Sequence, residues 1–217
     1  MRFLHFIILA IILSSCNKSA VEIITLNPNI QLVSQEDKKI WDVFDRKINI
    51  LIIDNRVNKF KLEENLQHYQ KDRIIYLDEG KVVYLDEVIG YKKYNKDKTT
   101  YLALDQDIMP VFRTELAKGL QDKGFQIVED NYDRILTIIL EDFHYITYKK
   151  GFITDSKLYL KLKVKSGSYD KLYEISIDGK HFLNSSIEND KKIINDALKE
   201  AILSILNNKK LILRLQG

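Results

Sequence analysis

The segment from Leu158 to Lys165 alternates strictly between apolar and polar side chains. Its apolar positions are Leu158, Leu160, Leu162 and Val164, and its polar positions are Tyr159, Lys161, Lys163 and Lys165. Successive side chains of a β-strand point to opposite faces of the sheet, so this strand buries one face and keeps the other wet. Sheets with one wet face are typically antiparallel. The pattern therefore predicts a sheet that needs a second layer on only one of its faces.

Two segments with apolar residues at helical spacing supply that layer. The first begins at Asp107, a good N-cap, with Pro110 in its first turn, and ends at Gly124. The second follows residues 185–188, which have the spacing of a capping box, and ends at residues 207–208. Their apolar stripes are Ile108, Val111, Phe112, Leu116 and Leu120 in the first, and Ile193, Ile194, Ala197, Leu198, Ala201, Ile202 and Ile205 in the second. We expect an α+β fold, an antiparallel sheet with two amphipathic helices packed on one face.

Other apolar runs predict further strands. Ile48–Ile53 is nearly all apolar, which predicts a buried strand that stops at Asp54-Asn55-Arg56. More strands are expected at 73–77, 82–85, 125–128, 134–148, 172–177 and 181–183, the last two separated by a hairpin or bulge at Asp178-Gly179. The polar segment at about 57–100, rich in lysine and tyrosine, is interpreted as an insertion in a single domain that spans residues 31–217. The residues after Asn208 give no clear pattern.

The amino terminus has the order of a secretory signal. Met1-Arg2 is a charged start, an apolar run follows from Phe3 to Leu13, and small residues precede Cys16, which is the only cysteine of the chain. The run is shorter than the roughly 20 residues that cross a bilayer. We therefore expect a signal peptide at 1–15 and an extended tether at 16–30. The alternatives are an ordinary signal peptide with a chance cysteine, and an N-terminal apolar strand.

Residues 13–16, Leu-Ser-Ser-Cys, resemble the lipobox of bacterial lipoproteins. The resemblance implies a diacylglycerol thioether on Cys16, cleavage before it, and an N-acyl chain on the new amino terminus. Two or more acyl chains anchor a protein stably. Asn17 in place of aspartate, with no acidic run after it, implies sorting to the periplasmic face of the outer membrane. Because the lipid consumes the one thiol, we expect no disulfide, no other cofactor and no thiol chemistry.

Several pieces of the mature chain resemble the YajG-like family of bacterial outer-membrane lipoproteins. They are the lipobox, Val21-Glu22-Ile23 with Pro28 close behind, Ile48–Ile53 running into Asp54-Asn55-Arg56, the helix from Asp107 to Lys123-Gly124-Phe125, the strand meander, and the helix from about Ile187. The family is known by location and fold class more than by activity. The resemblance therefore implies an envelope location and transfers no catalytic residue.

Charge and motifs favour a binding protein over an enzyme. The formal net charge is only +3, which is too small for a nucleic-acid footprint. No nucleophile elbow, phosphate loop, dinucleotide fingerprint or zinc helix occurs in the sequence. In the strand around His144, only Asp142 shares its face, so a metal site is not expected there. A periplasmic hydrolase that uses His144 or His181 is kept as the alternative from another functional class.

Two further groups of residues are candidate sites. Asp54 and Arg56 follow the buried strand, where they order a turn or meet a partner. Aromatic and ammonium groups that suit an anionic glycolipid or protein surface are concentrated at Tyr84, Tyr91, Lys92, Lys93, Tyr94 and Lys96. The competing interpretation is that tyrosine favours strands and lysine protects a sheet edge.

These observations predict a non-enzymatic, lipid-anchored envelope lipoprotein that faces the periplasm. Its expected contacts are the membrane, through the lipid, and an envelope partner, which is a protein, a glycan or a lipid. An alternative within the same class is an assembly factor for an outer-membrane β-barrel or for lipopolysaccharide transport. No nucleic acid is expected as a partner.

Overall fold

The computed structural model describes residues 20–27, 46–56, 74–76, 82–84, 88–95, 98–182 and 186–217. Its strands are β1 (Ala20–Ile24), β2 (Lys47–Asp54), β3 (Ile74–Tyr76), β4 (Val82–Tyr84), β5 (Val88–Asn95), β6 (Lys98–Leu104), β7 (Gln126–Ile127), β8 (Arg134–Lys150), β9 (Ile153–Ser166) and β10 (Tyr169–Phe182). Its helices are α1 (Ile108–Asp122), α2 (Ile187–Leu206) and α3 (Lys209–Gln216). Within these residues, β3 pairs with β4, and the other strands form one eight-stranded sheet.

The long strand β8 organises this sheet. One of its edges pairs with β9, which is antiparallel to it and in turn pairs with β10. The other edge is shared by two parallel neighbours, β2 along the first half of β8 and β5 near its end. The sheet continues from β5 through β6 to β1, and β7 lies beside β2.

The expectation of a purely antiparallel sheet is therefore wrong, because the sheet is mixed. β1, β2, β5 and β7 all take part in parallel pairings. The alternation of apolar and polar side chains along β9 indicates that one face of the sheet is exposed to water. It does not indicate whether the neighbouring strands are parallel or antiparallel. The α+β character remains, since the described residues combine this mixed sheet with helices.

A β-bulge marks the point where β8 changes its parallel neighbour. Leu140 pairs with Leu162 and Asp142 pairs with Lys161, so Glu141 is the extra residue. The β2 pairing ends at Leu140 and the β5 pairing begins at Tyr145. A bulge bends a strand and increases its twist, which lets the two ends of β8 present different neighbours.

The buried side chains form one hydrophobic cluster between the sheet and the helices. α1 contacts β2 and β7, α2 contacts β9 and β10, and the two helices contact each other. The cluster includes inward-facing residues of β2, β8 and β9 together with the apolar stripes of α1 and α2. The sheet face that carries these residues is called the inner face below, and the opposite face is called the outer face.

Local signals place the helix ends. The Asp107 carboxylate accepts a hydrogen bond of 2.9 Å from the Met109 N–H, which confirms the predicted N-cap of α1. α1 ends at Asp122, and Gly124 follows with φ of 91°, the left-handed conformation that glycine adopts without strain. The N-cap of α2 is Ser186, whose hydroxyl accepts the Asn189 N–H at 3.3 Å. α2 ends at the C-cap Asn207, as predicted.

Two elements, β10 and α3, differ from what the sequence indicates. Residues 172–177 and 181–183 were expected as two strands, but β10 runs without interruption through Asp178-Gly179. The tail after Asn208, which gave no pattern, is the short helix α3. The Asn208 side chain caps α3 by accepting the Leu211 N–H at 3.1 Å.

The predicted tether and insertion contain sheet strands. Within the tether expected at 16–30, residues Ala20–Ile24 form β1, which pairs with β6. Within the insertion expected at 57–100, residues Val88–Asn95 form β5 and residues 98–100 begin β6, and β5 lies directly beside β8. Their lysines and tyrosines resemble a surface composition, but pairing on both edges of β5 makes this segment part of the central sheet.

Candidate functional site

The predicted lysine and tyrosine patch is only partly within the described residues. Tyr84 ends β4, and Tyr94 lies in β5. Lys96 and the lipidation residue Cys16 lie outside the described residues, as does the signal peptide 1–15. Tyr91, Lys92 and Lys93 are the patch residues whose side chains the structure places.

Strand geometry separates these three side chains. Successive residues of β5 point to opposite faces, so Lys92 points inward while Tyr91 and Lys93 point outward. Lys92 is fully buried, Tyr91 is half-buried and Lys93 is exposed. The Lys92 ammonium therefore does not belong to a surface patch, whatever binds to its neighbours.

Lys92 instead lies in a buried polar cluster that joins four elements. Its Nζ atom pairs with the carboxylates of Asp190 in α2 and Glu22 in β1. The Tyr145 hydroxyl of β8 donates a hydrogen bond to the same Asp190 carboxylate. The Asp190 side chain is fully buried, and that of Glu22 is 31% exposed. Together these bonds connect β1, β5, β8 and the first turn of α2.

The electrostatics of this cluster favour a charged Lys92 and a neutral Tyr145. Burial alone lowers the pKa of Lys92, but the hydrogen bonds to Asp190 and Glu22 outweigh it and leave that pKa above its usual value. Burial, followed by the negative charge of Asp190, raises the pKa of Tyr145. The first turn of a helix also favours the Asp190 carboxylate through the helix dipole. The cluster is thus a satisfied ionic network, which suits a structural role.

A group of tyrosines on neighbouring strands lies next to Lys92, with Tyr91 pointing to the outer face. Burial and a hydrogen bond with Tyr148 of β8 raise the pKa of Tyr91. Tyr101 of β6 is the direct cross-strand neighbour of Tyr91. These tyrosines pack across β6, β5 and β8, so part of the predicted aromatic surface serves cross-strand packing.

Asp54 and Arg56 form a bidentate ion pair at the end of β2. The Arg56 Nε and Nη2 atoms donate to the two Asp54 carboxylate oxygens at 2.9 and 2.7 Å. Arg56 is only 4% exposed, and the Asn55 N–H between them donates to the Leu140 carbonyl at 2.8 Å. This geometry fixes the chain at the point where β2 separates from β8. It also leaves little of the Arg56 guanidinium exposed for contact with a partner.

His144 lies on the outer face. Its Nδ1 atom is 2.7 Å from an Asp142 carboxylate oxygen, and its ring stacks on Tyr159 with centroids 4.7 Å apart. His181 pairs with the Asn189 side chain at 3.1 Å. Among the described residues, no group of three or more histidine, cysteine, aspartate or glutamate side chains is arranged to hold a metal ion. The side chains of the His144–Asp142 pair are both partly buried, His144 19% and Asp142 23% exposed.

The outer face also carries an apolar patch that the sequence did not predict. Leu51 and Ile53 of β2 are 49% and 41% exposed, and Ile135 of β8 is 39% exposed. Ile53 pairs directly with the half-buried Ile139. These four residues, Leu51, Ile53, Ile135 and Ile139, are called the outer apolar patch. The run Ile48–Ile53 predicted a buried strand, but only Ile48 and Ile50 of this run are buried, because β2 has its helix on one side.

Lysines of β9 border this patch. Lys163 pairs across the strands with Ile139 on one side and Leu172 on the other. Its ammonium lies 3.4 Å from Asp170, which also pairs with Lys165 at 3.8 Å. The outer face thus combines exposed apolar side chains with partly exposed ammonium groups.

An open groove lies elsewhere, along the exposed side of α2. It is lined by Asp196, Lys199, Glu200, Leu203, Ser204 and Asn207. All of these belong to one helix or its C-cap, so the groove is a depression between neighbouring side chains of a helix surface. It holds none of the predicted site residues.

A family model described as "uncharacterized lipoprotein" matches residues 86–216, which is more than half of the chain. The chain belongs to this family. The match confirms the YajG-like lipoprotein family that the sequence predicts. It begins just before β5 and extends through α3, so it includes Lys92, Asp190 and the whole of β8 to β10. No curated protein matches the chain.

Several solved structures resemble the chain at low identity. A protein from Xanthomonas campestris is 9% identical with a TM-score of 0.46, and the alignment covers 89% of this chain and 95% of that one. A minor lipoprotein from Acinetobacter baumannii is 10% identical with a TM-score of 0.37, covering 76% and 90%. A putative neuraminyllactose-binding hemagglutinin homologue from Helicobacter pylori is 10% identical with a TM-score of 0.41, covering 89% and 97%. TM-scores this low do not establish a shared fold or a shared ligand.

None of the helices within the described residues is both long enough and apolar enough to cross a membrane. Membership of a lipoprotein family is consistent with a lipid-anchored envelope protein.

Proposed function

We propose that the protein is a lipid-anchored envelope lipoprotein that binds another envelope protein through the outer face of its sheet. Its anchor is the diacylglycerol and N-acyl modification of Cys16, and it sits on the periplasmic face of the outer membrane. It acts by binding and not by catalysis. The proposed partner is a protein with apolar side chains next to carboxylates.

The outer apolar patch is the observation that carries this proposal. Leu51, Ile53 and Ile135 expose large apolar side chains on neighbouring strands, so they form one surface and not scattered single residues. Contiguous exposed apolar surface is typical of interaction sites. Its rim supplies lysines, which favour a partner with acidic groups around an apolar centre.

The buried polar cluster around Lys92 favours a binding function for this fold over a catalytic one. Lys92, Asp190 and Tyr145 are the chemically most distinctive side chains, and all are enclosed and paired. A substrate has no access to them while the fold is intact. The outer apolar patch, by contrast, is accessible and lies on a sheet face, which suits a protein partner.

Site-specific photo-crosslinking in native envelopes tests the proposal. A photoreactive phenylalanine analogue at Leu51 is compared with one at Leu213, an exposed leucine of α3 that lies outside the outer face. We expect one adduct in high yield from position 51 and none from position 213. The partner, identified by mass spectrometry and purified, must then bind the protein in solution, and Ile53→Lys must abolish that binding while Leu213→Lys preserves it.

Two results would contradict the proposal. Equal adducts from both positions, or no adduct from position 51, would remove the outer apolar patch as the binding surface. An adduct with lipopolysaccharide in place of a protein would favour the glycolipid alternative. Intact-mass measurement tests the anchor separately, since acyl mass must be present in the wild type and absent in Cys16→Ala.

A further inference from the structure

The most exposed apolar side chains lie at one end of the sheet. Phe182 at the end of β10 is 76% exposed, and Phe152 in the β8–β9 turn is 71% exposed, more than any other large apolar side chain in the described chain. Their rings stack with centroids 6.4 Å apart. Ile153 and Tyr148 beside them are each 49% exposed. These four residues, Tyr148, Phe152, Ile153 and Phe182, are called the aromatic tip.

The first described strand begins at the same end of the molecule. One row of paired residues crosses the sheet through Ala20, Thr100, Lys92, Thr147, Ser156 and Gly179. β8 continues three residues beyond this row to Lys150, and β10 continues three residues beyond it to Phe182. At about 3.3 Å per residue, the aromatic tip extends roughly 10 Å past the start of β1.

β1 is also oriented so that the chain before it leaves toward the aromatic tip. β1 is parallel to β6, and β6 is antiparallel to β5, whose carboxyl end lies beside Tyr148. β1 therefore runs away from the tip. Cys16 precedes Ala20 by four positions, and a chain spans at most about 3.6 Å per residue, so the segment from Cys16 to Ala20 can reach at most roughly 14 Å.

We propose that the aromatic tip inserts into the phospholipid leaflet that holds the lipid anchor. This inference rests on the proposed acylation of Cys16. The reach of about 14 Å from Ala20 exceeds the roughly 10 Å height of the tip by only a few ångströms. An acyl chain on Cys16 that enters the bilayer therefore keeps the tip beside the headgroups.

The chemistry of this end fits a phospholipid surface. Aromatic and aliphatic side chains on the outside of a protein, with basic residues beside them, are the composition of an interfacial anchor. Lys180 and Lys93 are both exposed at this end, Lys180 two residues before Phe182 and Lys93 paired with Tyr148. Ammonium groups at this height lie close to the lipid phosphates. A lipid leaflet thus covers the phenyl rings and pairs the charges in a single contact.

Fluorescence quenching by brominated phospholipids measures this insertion. The full-length protein, processed and acylated by its host, is reconstituted in vesicles of phosphatidylethanolamine and phosphatidylglycerol. The chain's single tryptophan is changed by Trp41→Phe, and a probe is introduced as Phe152→Trp or, independently, as Phe182→Trp. The control probe is Leu213→Trp in α3, an exposed position at the opposite end of the sheet, where Arg134 at the start of β8 binds the carbonyl of Gly217.

The expected result is a selective loss of fluorescence at the tip. A probe buried 5 to 10 Å into the headgroup boundary should lose at least about half of its emission to lipids brominated near the headgroup, and the control probe should lose almost none. If urea unfolding shows that Trp41→Phe impairs folding, the probe is introduced in a protein that retains Trp41. The quenching at the tip is then the difference between the quenching of this variant and that of the parent protein with Trp41 alone.

The outcomes separate the tip from the anchor. Acylated protein with no quenching at either tip position would overturn the insertion and leave the anchor intact, and a crosslink from the tip to a second copy or another protein would assign the tip to that partner instead. Intact mass without acyl chains would refute the proposed anchor. Quenching at the tip in that same preparation would still establish insertion by the tip itself.

Discussion

Removing the Lys92 ammonium should destabilise the protein far more than any change on the exposed side of the same strand. In Lys92→Met the methionine keeps a similar apolar stem but leaves the fully buried Asp190 carboxylate without its cation. Breaking a buried ion pair by removing one partner costs about 3–5 kcal/mol. The Tyr145 hydroxyl still donates to Asp190, and the partly exposed Glu22 can turn to water, so we expect the lower end of that range.

Urea unfolding followed by circular dichroism provides the measurement. The midpoint should fall with little change in slope, because the surface exposed on unfolding stays the same. Lys93→Met is the matched control, since that lysine is adjacent and exposed, and its free energy of unfolding should change by no more than about 0.5 kcal/mol.

A double-mutant cycle isolates the interaction. Lys92→Met combined with Asp190→Leu removes both charges, and replacing a buried pair by apolar residues is often close to neutral. The double variant should therefore be more stable than Lys92→Met alone, with a coupling energy of about 1–3 kcal/mol. If Lys92→Met and Lys93→Met have equal stabilities, or if the cycle shows no coupling, the buried network is not the structural bond described here.

Three other predictions follow from local geometry. Gly90→Ala should lower the free energy of unfolding by about 3 kcal/mol or more, because the added Cβ would lie 1.7 Å from the Tyr145 carbonyl oxygen. Gly151→Ala should lower it by only about 1–2 kcal/mol, because the space around Gly151 is open and only its φ of 65° is unfavourable for alanine. Thermal unfolding of both variants measures the difference. Burial and a neighbouring tyrosine raise the pKa of Tyr173, so the stabilising effect of its neutral form is complete below about pH 10 and is lost as the pH rises through the pKa of the folded state. Tyr173→Phe should therefore reduce the loss of unfolding free energy at alkaline pH by up to about 1.4 kcal/mol per pH unit. An unchanged slope of unfolding free energy against pH would contradict this. Ser186→Ala should cost about 1 kcal/mol in urea unfolding by removing the N-cap of α2, and a cost near zero would argue against that cap.

The helices and most strands are predictable because their signals are local. Asp107 and Gly124 fix the two ends of α1 through side-chain capping and a left-handed φ, and neither effect depends on the rest of the fold. The alternation in β9 likewise predicts which of its residues are buried, and each of Leu158, Leu160, Leu162 and Val164 is buried. Patterns within one element are sufficient for these conclusions.

The features that the sequence failed to predict depend on which elements meet. Lys92 has the composition of a surface lysine, and only the approach of α2 and β1 supplies the carboxylates that allow it to be buried. Leu51 and Ile53 have the composition of a core strand, yet the layer that would cover their face is absent from the described residues. The two-residue period of a strand assigns its side chains to two faces but does not indicate which face another layer covers. The tertiary structure was therefore needed to place both Lys92 and the exposed pair Leu51 and Ile53.

The two exposed apolar regions lie at opposite ends of β8, and this separation constrains what each can bind. Lys150, at the end of β8 beside the aromatic tip, is eleven positions along the strand from Ile139 of the outer apolar patch, which corresponds to about 36 Å of extended strand. That length exceeds the thickness of the headgroup region on one side of a bilayer, since the headgroups of both leaflets together add only about 10–15 Å to the hydrocarbon core. If the aromatic tip is in the leaflet and the strands stand away from it, the outer apolar patch lies beyond the reach of lipid. A periplasmic or membrane-embedded protein with a domain at that height is then the ligand that both contacts permit, and the protein would hold such a partner at a fixed distance from the membrane surface.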